Sequence, residues 1–304
     1  MDFGNKVNPN TPEKAQDDTA MLSKSTARGT MYSAGISLVE RAHAGELDPL
    51  VGRDEEIARI FRLLLRRQDP HVLLVGESGS GKTALVNGVA LRLAEEPPHG
   101  FEGVDIIQVN HFFLAQSLPG MRWKQDIGNG KIILYVPDGL LNFSLFAALY
   151  DLVNRHGVRI ISATTPSGMY NIKEQDPGLL RRFQAIAVKA PDEVETMQIL
   201  RSSHKLYEQH HKVFIDDAAL EMALLLSEKY ISDRVQPGAA MDLLDEACAM
   251  VALRREPILK KNGKEDVLKE IRESPVTAYE VLEIVAGITG KTPEELDKEL
   301  DESD

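Results

Sequence analysis

Eight consecutive residues, Gly76-Glu77-Ser78-Gly79-Ser80-Gly81-Lys82-Thr83, fit the pattern G-x-x-x-x-G-K-[ST] without a mismatch. The chemistry of that spacing is phosphate binding. Glycines let backbone N–H groups converge on phosphate oxygens, and a following helix adds the partial positive charge of its first turn. Lys82 is placed to reach the β- and γ-phosphates, and the Thr83 hydroxyl to hold Mg²⁺. The flanks suit the motif. His71–Val75 is a short, mostly apolar run that predicts a buried strand, and residues 83–93 carry helical spacing. ATP or ADP with Mg²⁺ is therefore the expected ligand. Two further features invite chemistry and do not sustain it. Adjacent His210 and His211 point in different directions on a helix, so they predict helix-end histidines rather than a metal site. Cys248 lies in an apolar-periodic run, which predicts a buried structural thiol.

The elements that must position the loop alternate. Strand-like runs recur at 106–109, 132–136, 158–163 and 185–188, with helical stretches between several of them. Strand–helix alternation predicts a parallel sheet covered on both faces. Helical spacing also runs from Ser33 to Glu46, and again from Asp54, the expected N-cap of a helix carrying Ile57, Ile60, Phe61, Leu64 and Leu65. Past Ala190 the strand signal stops, and helices run to about Arg255. Residues 260–269 form a charged linker, residues 277–286 a short amphipathic helix, and residues 292–304 an acidic end expected to fray. The polar stretch before residue 35 predicts a disordered arm.

Composition narrows the class. The 304 residues carry a net charge of −12, which argues against a general nucleic-acid binder. One cysteine excludes an internal disulfide. There is neither a bilayer-length apolar stretch nor a signal-peptide core, so a cytoplasmic protein without a membrane partner is expected.

Several motifs in one order resemble the first ATPase module of the Clp-type AAA+ protein unfoldases. They are Gly45–Ile57, the phosphate loop, Ala163-Thr164-Thr165, Leu180-Arg181-Arg182-Phe183-Gln184, Tyr207–His211, Tyr230–Arg234, Asp242–Ala247, Val276–Val281 and Gly287–Gly290. The resemblance spans roughly residues 35 to 300. It implies an α/β P-loop core with a five-stranded parallel sheet over 35–190, an all-helical lid over 191–256, and a linker, short helix and acidic tail over 257–304, after a disordered arm at 1–34. It also implies self-association, usually as a hexameric ring, and a polypeptide substrate or a Clp-type protein partner.

Residue by residue, Val51-Gly52-Arg53 matches the segment that packs against the adenine. Thr165, beside Thr164, matches the polar sensor that positions the attacking water; its plain alternative is a strand-end hydroxyl satisfying a loop. Arg181 and Arg182 match paired arginines presented to a neighbouring subunit's nucleotide, where a planar guanidinium suits the γ-phosphate. Trp123, in Gly120-Met121-Arg122-Trp123-Lys124, lines up with the substrate-gripping aromatic of the pore loop; a packed tryptophan is an equal alternative.

The chain also departs from that pattern. Where the family strand ends in Asp-Glu, Lys131–Val136 is followed by Pro137-Asp138-Gly139. Without a gap, Pro137 replaces the Mg²⁺-supporting Asp, and Asp138 replaces the Glu that polarises water. Shifted by one, Asp138 supports Mg²⁺ and Gly139 replaces the Glu. Neither register restores both carboxylates, and a catalytic group misplaced by ~1 Å can cost about a hundredfold. The segments on either side of this strand are shorter than in the family, and Gln236–Ala240 lacks the usual lid lysine. On this reading neither the family's substrate-receiving domain nor its second module is expected within these 304 residues. The expectation is a reduced module that binds ATP or ADP, hydrolyses weakly or not at all, and uses nucleotide to control assembly. Its alternatives are an ATP-hydrolysing remodeller with Asp138 as the catalytic acidic residue, and an adaptor that regulates a full-length Clp ring.

Overall fold

A computed structural model describes residues 35–109, 131–137, 158–259 and 275–302, so the charged linker expected at 260–269 lies outside the described residues. Trp123, Asp138 and Gly139 lie outside the described residues.

Five parallel strands form the core: β2 (His71–Val75), β3 (Asp105–Val109), β4 (Ile132–Pro137), β5 (Arg159–Thr164) and β6 (Phe183–Ala187). The run 71–74 is buried at every position, as a strand covered on both faces must be. The sheet has six strands rather than the five expected, in the order β1-β3-β4-β5-β2-β6. The added β1 (Gly35–Ser37) pairs antiparallel with β3. Helical spacing from Ser33 predicts no strand there. The helix begins only at Leu38, where the Ser37 hydroxyl caps α1 (Leu38–His43) by accepting from the Glu40 N–H. The same hydroxyl donates to the buried carboxylate of Asp105, which ties β1 to β3.

α2 (Asp54–Leu64) buries Ile60, Phe61 and Leu64. α3 (Lys82–Glu95) follows the phosphate loop and buries Leu85, Val86, Val89, Ala90 and Leu93 against the sheet. The short α4 (Pro166–Gln175) and α5 (Pro177–Leu180) lead from β5 to β6.

Beyond the sheet, α6 (Glu193–His211), α7 (Asp217–Tyr230) and α8 (Gly238–Leu259) enclose a second apolar core around Leu200, Leu220, Leu244 and Cys248. The Val276 N–H donates to the Phe214 carbonyl at 2.7 Å, and the Asp216 N–H to the Val276 carbonyl at 3.0 Å. This returns the chain to the lid, where α9 (Ala278–Thr289) buries Val281, Leu282 and Val285. The end expected to fray instead holds α10 (Pro293–Asp301), opened by a reciprocal capping box between Thr292 and Glu295. Leu296 drives it into the lid core and is fully buried. No described helix is long and apolar enough to cross a membrane.

Candidate nucleotide site

β2 lies between β5 and β6, and its carboxyl end opens directly into the glycine loop. Ligands of open α/β sheets sit at that edge. Gly79 and Gly81 hold φ values of 87° and 89°, a left-handed backbone that disfavours side chains. At Gly76 the constraint is space: an added Cβ would lie 2.4 Å from the Val188 carbonyl oxygen. Lys82 Nζ donates to the Gly76 and Glu77 carbonyls, each at 2.8 Å, so the ammonium is held against the loop. One buried hydroxyl here, Ser80 Oγ, has no hydrogen-bond partner among the described residues. A buried hydroxyl without a partner is costly in a protein interior. Together with the open glycine cradle and Lys82, this orphaned atom fits a phosphate-bearing ligand. Thr83, exposed at the start of α3, fits the cation that accompanies one.

Thr165 stands at the end of β5, on the wall of the cavity that joins the loop to the lid, and its hydroxyl is also engaged locally. Its Oγ1 caps α4, accepting from the Gly168 N–H at 3.1 Å, and shares a 2.9 Å hydrogen bond with Ser167. The hydroxyl of the neighbouring Thr164 is buried, with no hydrogen-bond partner among the described residues. The resemblance points to Thr165, and of the two threonines it is Thr165 that lines the cavity. Strand alternation puts Ser162 and Thr164 on the face opposite Ile161 and Ala163, which pack with α3, and Ser162 Oγ donates there to the Val136 carbonyl.

A cavity of about 520 Å³ joins the loop to the lid. That lies within the usual range for small-molecule sites. Its walls include Val51 and Arg53 on one side, Ser78–Thr83 on another, and Ile199, Pro237, Gly238 and Met241 from the lid. Gly52 and Arg53 both have φ of 68°, and Arg53 donates to the Lys189 carbonyl at 2.7 Å while pairing with Glu56 at 3.0 Å. Val51-Gly52-Arg53 is thereby fixed beside the cavity. Asp48 is the one carboxylate among the described lining residues.

The lid touches the loop backbone to backbone. The Val235 N–H donates to the Ser78 carbonyl at 2.9 Å, and the Gly238 N–H to the Gly79 carbonyl at 3.2 Å. A Cβ on Gly238 would fall 2.6 Å from the Gly79 Cα, so the contact depends on glycine at both positions.

Arg181 and Arg182 are exposed and sit elsewhere. Phe183, which follows them, pairs with His71 at the amino end of β2. A five-residue strand separates that end from the loop, roughly 13 Å at strand rise. The arginines thus flank the edge of the sheet opposite the cavity. His210 and His211 end α6, and His211 Nε2 pairs with Asp245 at 2.6 Å. No group of three or more His, Cys, Asp or Glu able to hold a metal occurs among the described residues. Cys248 is fully buried, and burial pushes its thiol up to about 12.

Known proteins share this arrangement. Residues 49–166 match the AAA ATPase domain model, and residues 192–281 the AAA lid domain model. The chain is 37% identical over 257 residues to the chaperone protein ClpB of Meiothermus ruber, covering 76% of this chain and 30% of that one. It is 35% identical over 246 residues to the Clp protease ATP-binding subunit ClpE of Streptococcus pneumoniae, covering 73% and 32%. Among solved structures it resembles the S. cerevisiae Hsp104–ADP complex, with a TM-score of 0.70, 31% identity, and 88% of this chain against 46% of that one. The chain spans about 30% of the length of the curated relatives it matches. A P-loop sheet and helical lid meeting over one cavity define an AAA+ ATPase module. The chain belongs to the Clp-type AAA+ family.

Proposed function

We propose that this chain is a Clp-like AAA+ module that binds ATP and ADP between its phosphate loop and its lid, turns ATP over slowly or not at all, and uses the bound state to control assembly. The observation that carries this reading is the direct hydrogen bonding of Val235 and Gly238 in the lid to Ser78 and Gly79 in the loop. A ligand in that cavity meets both bodies at once. Whichever lid position it binds better becomes the populated one.

In this reading the loop N–H groups and Lys82 hold the phosphates, Thr83 holds Mg²⁺, and Val51, Ile199 and Met241 enclose the base. Ser80 and Thr165, both on the cavity wall, supply hydroxyls toward the phosphate end. Nucleotide brings the phosphoanhydride bond. What this chain lacks at the end of β4 is the carboxylate pair that supports Mg²⁺ and activates water, because Pro137 stands at the first position. Arg181 and Arg182, remote from their own loop, would serve the nucleotide of a neighbouring copy or of a Clp-type partner. The Hsp104:casein complex is a relative with a polypeptide bound. The same arginine pair therefore also suits a hydrolysing remodeller, in which Asp138 would serve as the acidic residue and Trp123 would grip substrate.

The test is paired on one preparation: ADP and ATP affinity by calorimetry, phosphate release at saturating ATP, and oligomer mass by light scattering with and without nucleotide. Expected are tight binding, little phosphate and a nucleotide-dependent mass. Absence of binding removes the reading. Turnover at ordinary AAA+ rates replaces it with the remodeller, and a mass indifferent to nucleotide removes the assembly role.

A further inference from the structure

Tyr135 lies on β4 two residues before Pro137, so the two side chains project from the same face of the sheet. That face is covered by α3: Tyr135 is completely buried, in one core with Val86, Val89 and Ala90. A buried tyrosine needs a partner for its hydroxyl. Tyr135 Oη finds one 3.3 Å away in Thr83 Oγ1, at the first turn of α3.

Thr83 is the residue through which the loop would hold Mg²⁺. A hydroxyl that gives a lone pair to a cation must direct its own proton elsewhere. The family's carboxylate at the end of this strand would take that proton. Pro137 has no polar side-chain atom with which to do so. The phenol of Tyr135 carries lone pairs and is the side-chain acceptor that β4 itself places beside Thr83.

We infer that Tyr135 is a positioning residue that accepts the Thr83 proton and turns the Thr83 oxygen toward the metal, in place of the carboxylate lost at Pro137. The inference rests on the nucleotide-binding reading above. A neutral phenol orients Thr83 without adding negative charge near the metal. Mg²⁺ therefore still strengthens nucleotide binding, by less than in a site with the carboxylate.

The experiment measures the ADP dissociation constant in excess Mg²⁺ and in EDTA, for the wild type, Tyr135→Phe, Thr83→Ala and the double variant. The readout is the ratio of the two constants within each protein, so a folding loss common to both conditions cancels. In the wild type the ratio of the EDTA to the Mg²⁺ constant exceeds one. Tyr135→Phe lowers it about three- to tenfold, the worth of one hydrogen bond. In the Thr83→Ala background the second substitution has no further effect, because the hydroxyl it would orient is gone. An unchanged ratio in Tyr135→Phe, an equal fall in both backgrounds, or a wild-type ratio of one overturns the inference while leaving nucleotide binding intact. No ADP binding by the wild type in either condition overturns the nucleotide reading itself, and this inference with it.

Discussion

Pro137 ends β4 opposite Ala163 of β5, at the carboxyl edge where a family member would carry the first residue of its acidic pair. The backbone there is ordinary parallel strand, so the position is able to carry a carboxylate. In the ungapped register, Pro137→Asp with Asp138→Glu rebuilds the pair. Because placement by ~1 Å is worth about a hundredfold, this double variant should raise phosphate release at saturating ATP by at least about tenfold. Unchanged release with retained ADP affinity would show that the acidic pair is not what limits turnover. A second residue sets a pH dependence. His71 is buried, and its Nδ1 accepts the Ile160 N–H at 3.3 Å, which requires the neutral ring. Burial lowers its pKa from 6.5 to about 4, with Asp69 opposing and Arg182 adding to the fall. Between those values the unfolded chain binds the proton and the folded chain does not. The contribution is thus fully present above pH 6.5 and is lost as pH falls toward 4, amounting to roughly 3 kcal/mol at most. Denaturant melts of His71→Leu across that window should lose less stability on acidification than the wild type; parallel curves would refute the assignment.

At the scale of elements, the lid and loop meet through a glycine on each side. Gly238→Ala forces its Cβ to within 2.6 Å of the Gly79 Cα, backbone against backbone, and neither side has a flexible chain end to swing away. The lid must back off, stretching the Val235–Ser78 and Gly238–Gly79 hydrogen bonds. Overpacking of this kind costs about 1–3 kcal/mol. The expected result is a lower melting temperature and weaker ADP binding together; a variant that melts lower yet binds ADP as tightly would detach the lid from the site. Such contacts mark the limit of what sequence carries. The glycine loop, its flanking strand and its helix were legible because periodicity and a local motif encode them. α10 was legible too: Thr292, Pro293 and Glu295 form a helix-start signature, which the acidic composition overshadowed. β1 was not, because its three residues carry no period and are defined by Asp105 and the edge of β3. Neither the Tyr135–Thr83 pair nor the Gly79–Gly238 approach leaves a trace in local sequence, since each joins residues dozens of positions apart through tertiary packing. The second hydrogen bond that Thr165 makes, as the cap of α4, likewise depends on where β5 ends.

At the scale of the whole molecule, the two arginines and the cavity occupy opposite edges of one sheet. β2 connects them, with the loop at its carboxyl end and Phe183 beside its amino end. An exposed guanidinium at the opposite end of a strand roughly 13 Å long contributes little to its own loop's ligand once water and salt screen the charge. It contributes much when a second chain brings a γ-phosphate into bidentate reach. The geometry therefore separates two quantities that a site internal to one chain would link. Arg181→Ala with Arg182→Ala should leave ADP affinity at low protein concentration within about twofold of wild type, since no direct contact is lost. The same variant should lose the ATP-dependent rise in mass seen by light scattering at high concentration, or the ATP-dependent capture of a Clp-type partner. A fall in low-concentration affinity of tenfold or more would place the arginines in their own site. An undiminished, ATP-dependent mass would leave assembly to other surfaces. Loss of assembly alone would make each bound nucleotide a shared ligand, completed only when one molecule's sheet edge meets another's phosphate loop.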